Sequence, residues 1–374
     1  MPAPRQPNVA HAASRGARQP LKALLGAALA ILASPARAAF PANVDGKMVF
    51  SSRPPGPATG LELRLVTRAG KLSYLTRRGP KDADARDVAP RWSQDGRKIL
   101  FTRLEPTPAE AGPGARLHGT LYEILNPEAE RPNPVPLTAP GFDVESGAWS
   151  PDGERVVFSA MGPKDKTQNL YLQDAKAGSK PRKLLAPAKP DGASAVAWAP
   201  TWSWNQNGPG TSMIAFLSDQ GGGPLLQVWT IKPDGTGLAQ VTRNGYQVGQ
   251  ATPIVADLGL DWDPFATHLL FVRQQERARN GPGSWEYRVM EVNAATGAER
   301  VIDQGPPGSR SAYPRYTPTG REAIFTSDRA ARGEDQRLGG MEAYTKPSSG
   351  KGDAVLLLRG GINVEMPEVQ PLLR

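Results

Sequence analysis

Three acidic residues, Asp45, Asp95 and Asp152, each stand directly before a glycine, and two of them follow a tryptophan, Trp92 or Trp149. A carboxylate next to an indole could hold a cation or flank a stacked ligand. Asp-Gly is also the pair that a tight turn with positive φ prefers. The turn persists where the aspartate is absent, as in TPTG at 317–320, so the structural reading is the stronger one. The corner aromatics Trp92, Trp149, Trp202, Trp262 and Tyr316 occupy matching positions, which predicts wedges in a core rather than ligand platforms. Trp204, Trp229 and Trp285 stand outside that series and remain candidates for a surface role.

Other chemistry is sparse. With no cysteine, the chain has no disulfide, thiolate metal site, cysteine nucleophile or lipid-anchor cysteine. Beyond residue 38 only His118 and His268 remain, too few for a histidine metal cluster. No G-x-S-x-G, P-loop or G-x-G-x-x-G stands in a fitting context. The run DADARD at 82–87 lacks the spacing of a calcium loop and reads as a solvated connection. No metal and no cofactor is expected.

The elements that position these residues recur. A short apolar run ending near a phenylalanine appears six times, as KMVFS, KILFT, RVVFS, MIAFL, HLLFV and EAIFT. The phenylalanines Phe50, Phe101, Phe158, Phe216, Phe271 and Phe325 follow one another at intervals of 51 to 58 residues. Each run reads as a strand, preceded by the corner aromatic and followed by two more strands, such as NLYLQD and RKLLA. One such sheet cannot bury both its faces, and radial stacking closes a ring without long free edges. The fold expected is all-β, a six-bladed β-propeller of four-stranded antiparallel blades. The first repeat begins at VDGKMVF without an aromatic strand, and MPEVQPLLR at 366–374 supplies one with Val369 in the aromatic's place. The C-terminal strand therefore completes the first blade.

Residues 1–38 lie outside this pattern. Arg5, Arg15, Arg18 and Lys22 precede the apolar run ALLGAALAILA and the sequence Ala36-Arg37-Ala38. That order predicts a secretory signal peptide cleaved after Ala38, followed by a single propeller domain at 39–374. The apolar run is too short to span a bilayer, so no transmembrane segment is expected in the mature chain. Five of the 45 basic residues and none of the 36 acidic ones lie in the leader, which reduces a formal +9 to +4. That balance is too mild and too scattered for nucleic acid.

W-S-P-D-G leading into R-V-V-F-S, with Leu-Thr or Val-Thr closing the fourth strand at Leu75-Thr76, Leu137-Thr138 and Val241-Thr242, resembles the TolB-like family of six-bladed propellers with WD-like repeats. The resemblance covers about residues 43–374 and implies an envelope location with protein partners. Translocation proteins of that family carry an α/β domain ahead of the propeller. Here the leader runs almost directly into Val44, so the resemblance extends to the propeller only.

Function is expected in the connections. Those from second to third strands are long, as in RLEPTPAEAGPGARLH, RQQERARNGPGS and DRAARGEDQRLGG, and so are those from each blade to the next. Both classes emerge on one face, and loops on a rigid scaffold carry binding residues. Arg273, Arg277, Arg279, Arg329, Arg332 and Arg337 are the candidate contacts on that face. Arg91, Asp261, Arg315 and Glu368, each just before a corner residue, are the candidates at the channel mouth. They either grip a ligand or pair with one another. The expected function is a non-enzymatic scaffold, periplasmic or secreted, that binds another envelope protein as a monomer or as a subunit of a complex. The alternative is a periplasmic enzyme or binding protein for carbohydrate or peptide, using those four charges.

Overall fold

A computed structural model describes residues 46–53, 60–77, 84–106, 116–204, 212–222, 226–243, 259–276, 285–329, 340–358 and 364–371, all within one compact unit. Residues 1–38, Asp45 and the arginines Arg277, Arg279, Arg332 and Arg337 lie outside them. No helix occurs among the described residues, and none there is long and apolar enough to cross a membrane.

The strands group into six antiparallel sheets. The first holds β1 (Lys47–Ser52), β2 (Glu62–Thr67) and β3 (Leu72–Tyr74), and the second β4 (Arg86–Trp92), β5 (Ile99–Pro106), β6 (Leu117–Ile124) and β7 (Pro134–Pro136). The third holds β8 (Asp143–Trp149), β9 (Arg155–Met161), β10 (Asn169–Asp174) and β11 (Arg182–Leu185). The fourth holds β12 (Ala197–Trp202), β13 (Ile214–Ser218), β14 (Gln227–Ile231) and β15 (Ala239–Gln240). The fifth holds β16 (Leu260–Trp262), β17 (His268–Glu276), β18 (Trp285–Asn293) and β19 (Glu299–Asp303). The sixth holds β20 (Ser311–Tyr316), β21 (Glu322–Ser327), β22 (Glu342–Pro347) and β23 (Val355–Leu358). The last strand, β24 (Glu365–Val369), pairs with β1 through Met48↔Val369 and Val49↔Glu368, giving the order β24-β1-β2-β3. The chain thus closes as a six-bladed propeller.

What joins one blade to the next is apolar burial on both faces of each sheet. Alternate residues of a phenylalanine strand point to opposite neighbours, as the two-residue period of a strand requires. In β9, Val156 and Phe158 pack toward the second blade, while Val157 packs toward the fourth. Six clusters of buried residues fill the six interfaces, and each contains one corner residue: Trp92, Trp149, Trp202, Trp262, Tyr316 or Val369. The corner residues are therefore wedges. Five of the six phenylalanines are fully buried, each worth about 1.5–3 kcal/mol in transfer from water.

The corners keep the first two strands of a blade together. In the third blade, Asp152 accepts from the Ser150 hydroxyl and from the Glu154 N–H, and Gly153 takes φ 69°. In the fifth blade the glycine's place is taken by Ala266, with φ 55°, and Asp263 accepts from the N–H groups of Thr267 and His268.

The innermost strands carry a feature that the sequence expectation lacked. Ala89, Ala199, Tyr313 and Met366 have φ between 48° and 53°, at register shifts in β4, β12, β20 and the β24–β1 pair. Each is followed by proline, Pro90, Pro200, Pro314 or Pro367. A strand edge that faces a channel can spare the proline N–H, and a bulge there re-aims the next side chain.

Two expectations are corrected. Arg86 and Asp87 belong to β4 rather than to a solvated connection, because the fully buried Asp87 accepts from Arg103 Nε at 2.8 Å and Nη2 at 3.1 Å. The connections expected to begin at Arg103 and Arg273 are ladder for several residues more, since β5 pairs with β6 through Pro106↔Leu117 and β17 with β18 through Glu276↔Trp285.

Candidate functional site

Arg91, Asp261, Arg315 and Glu368 come from the innermost strands of four blades and meet on the axis. Each occupies the last position before its wedge, and Arg91, Arg315 and Glu368 stand just past a bulge. This position puts them toward the tight-corner end of the channel rather than at the mouth on the long-loop face.

The arrangement is a chain of ion pairs and backbone contacts. Arg91, in the second blade, reaches the opposite fifth blade, where Nη1 donates to Asp261 Oδ1 at 3.0 Å and Nη2 to the Leu260 carbonyl at 2.9 Å. The other oxygen of Asp261 accepts from the Tyr316 N–H at 2.9 Å. Glu368 Oε1 accepts from the Trp92 N–H at 3.0 Å, and Oε2 lies 3.8 Å from Arg91 Nε and 4.0 Å from Arg315 Nε. Arg315 Nη1 donates to the Pro314 carbonyl at 2.9 Å. Each carboxylate caps a backbone N–H of the following blade, and the two arginines balance the two acids.

Burial dominates the electrostatics. The side chains of Arg315 and Glu368 are only 5% and 8% exposed. Loss of solvent pulls the Arg315 guanidinium down to about 10, helped by the like charge of Arg91 and opposed by Asp261 and Glu368. Loss of solvent pushes Glu368 up to about 7 although Arg91 and Arg315 pull the other way. An ion pair alone would move both groups in the opposite senses, so desolvation outweighs pairing here.

The bar divides the axis into two recesses. One encloses about 430 Å³, part of it open solvent, and is lined by the bulge residues Ala89, Ala199, Tyr313 and Met366 together with Arg91 and Arg315. Glu145 also lines it and accepts from the Ala199 N–H at 3.1 Å. Glu145 stands at the register shift of β8, a place that no residue type marks in the sequence. The other recess, at the corner end, is small and is lined by Arg91, Glu368 and Trp204.

The arginines expected on the long-loop face have been placed in part. Arg273 is a strand residue of β17 whose guanidinium is bound by Glu299. Arg329 is bound by Asp303 and lies over the rings of Phe325 and Tyr344, 5.1 and 4.8 Å from their centroids. Neither offers a free charge. His118 and His268 lie near Asp143 and Asp263 in separate blades. Among the described residues no group of three or more acidic or histidine side chains could hold a metal.

Fold and axis together define a six-bladed propeller whose axis is crossed by charged side chains. A TolB structure from Acinetobacter baumannii superposes with a TM-score of 0.61 at 15% identity, over 89% of this chain and 68% of that one. The nidogen/laminin complex matches at 0.52 and 10% identity, over 86% and 98% of the two chains. A puromycin hydrolase matches at 0.52 and 14% identity, over 86% and 48%. At these identities the likeness establishes the fold, which binding proteins and enzymes share. No family model matches the chain, and no curated protein matches it in sequence.

Proposed function

We propose that this chain is an exported propeller scaffold of the bacterial envelope that binds a protein partner through its long-loop face. The observation that carries the reading is a division between the axis and that face. The four axial charges are engaged with one another or with backbone groups, whereas the two longest connections, 241–259 and 328–341, both leave from the long-loop face. The enzyme alternative has less support, because both oxygens of Asp261 are already bonded. Export is supported by the basic, apolar and Ala-Arg-Ala order of residues 1–38 and, by analogy, by the TolB-like fold. Sequencing of the mature protein should begin at Ala39.

The binding reading is tested by affinity purification from envelope extract with three forms of the protein. The intact chain and a Phe265→Ala variant on the corner face should recover the same stoichiometric partner. A form with residues 277–284 and 330–339 replaced by short Gly-Ser turns should lose it. Recovery of no partner, together with turnover of a defined substrate, would overturn the proposal.

A further inference from the structure

Arg273 and Arg329 are bound internally, but a different group of cations is not. Residues 164–183, from the β9–β10 connection to the start of β11, hold Lys164, Lys166, Lys176, Lys180, Arg182 and Lys183 against Asp165 and Asp174. Six basic and two acidic residues give this one hairpin +4, the whole net charge of the chain beyond residue 38. The rest of residues 39–374 sums to zero.

Lys164, Lys166, Lys176 and Lys180 are exposed, and among the described residues their ammonium groups meet neither an acid nor a hydrogen-bond acceptor. Lys183 pairs with Asp165 at 2.5 Å, and Arg182 donates to the Pro233 carbonyl at 2.8 Å. The Asp165 carboxylate also accepts from the Gly162 N–H at 3.0 Å and from the Tyr171 hydroxyl. These bonds fix the turn between β9 and β10, with Lys164 and Lys166 on either side of a buried carboxylate. Because β11 is the free edge of the third blade, the cations form a stripe along the outside of the ring. It runs from the long-loop end to the corner end, the length of the six-residue β10, or about 20 Å.

We propose that this stripe is the docking site for an extended acidic segment of the partner protein. The proposal rests on the partner reading above and adds the chemistry of the contact. Charged side chains on an edge strand also discourage unwanted strand pairing, which accounts for Arg182 and Lys183. It does not account for the four lysines in the turns at the two ends. Glu154 and Asp234, on adjoining turns, temper the charge at the corner end only. A line of cations on a convex wall matches a linear polyanion rather than a plane of lipid headgroups. Among the described residues, moreover, the exposed large apolar side chains Leu72, Leu125, Leu238, Phe265, Val301 and Val355 all stand in other blades, so the stripe has nothing to insert into a bilayer.

The test is fluorescence anisotropy of a labelled, end-capped peptide of six glutamates alternating with six serines, titrated with the purified protein. Binding should saturate with Kd on the order of 10–100 µM at about 50 mM salt and weaken about tenfold at about 300 mM, because exposed charges are screened. The same peptide with glutamine for glutamate should not bind. Lys164→Gln, Lys166→Gln, Lys176→Gln and Lys180→Gln together should weaken binding about tenfold and leave the melting temperature unchanged. Lys71→Gln, Arg97→Gln, Arg321→Gln and Lys351→Gln together remove the same charge from other blades and should leave Kd within about twofold. The form with residues 277–284 and 330–339 replaced should bind the peptide as the intact chain does, so failure of the partner reading is distinguishable from failure of the stripe. Absence of saturable binding overturns the proposal. So do equal effects of the two fourfold variants, or binding of phosphatidylglycerol vesicles without binding of the peptide.

Discussion

In four of the six innermost strands two neighbouring residues do different work, and Arg91 and Trp92 show the contrast best. Trp92 belongs to an interface that is built six times with the same apolar logic. Arg91 belongs to an axis that is built once, from four charges with no counterpart in the other two blades. The interfaces hold adjacent blades together by burial, and the axis holds opposite blades in register by paired charge. A repeated interface tolerates no exception, because the ring closes only if every blade packs. The axis is free to vary.

The contrast can be broken first at the seam. Deleting residues 364–374 removes β24 and exposes Met48 and Phe50 of the first blade, so the ring should lose cooperative unfolding altogether, as read by calorimetry. Phe158→Ala attacks one interface and should cost about 3–5 kcal/mol in denaturant unfolding. Arg91→Met attacks the axis by leaving Asp261 and Glu368 without their shared cation, and should cost about 3 kcal/mol. The double change Arg91→Met with Asp261→Leu should cost less than the two single changes added together. Full additivity would show that the bar is not one coupled unit.

Acid–base behaviour separates the two regions further. Glu368 is held above its ordinary value, near 7, so the folded ring keeps its proton at a pH where the unfolded chain has lost it. The stability it contributes is complete below the ordinary glutamate pKa and disappears as pH rises through about 7. Melting temperatures should fall between pH 5 and pH 8, and Glu368→Gln should flatten that fall while Phe158→Ala shifts the curve without changing its slope. The smallest effect is at a corner. Ala266→Gly relieves a left-handed alanine and should stabilise the protein by about 1 kcal/mol.

The interfaces were legible in the sequence because packing demands the same residue type at the same place, so Phe158 and Trp149 announce themselves through their siblings. Closure by β24 was legible for the same reason, from the missing strand at one end and the surplus one at the other. Of the axis, the four charges could be named and pairing among them foreseen as one outcome, but not the partners, since nothing in a single sequence shows that Arg91 reaches across to Asp261. The bulges left a readable mark, the proline two residues before Trp92, Trp202, Tyr316 and Val369, whose meaning depends on a strand edge facing a channel. The extension of β17 to Glu276 was hidden because its last residues, Arg-Gln-Gln-Glu, form ladder hydrogen bonds without apolar alternation. Trp204 was visible only as an exception to the repeat.

The pairing of Met48 with Val369 joins the two ends of the described chain. The ribosome makes β24 after every other strand of the ring, so the first blade waits, one strand short, until the other five have been made. Blades two to six can assemble in order behind it, each against the one before. The final step is then a contact of very long sequence separation, the kind that slows folding most. Until β24 has emerged, the ring stays open at its first blade alone.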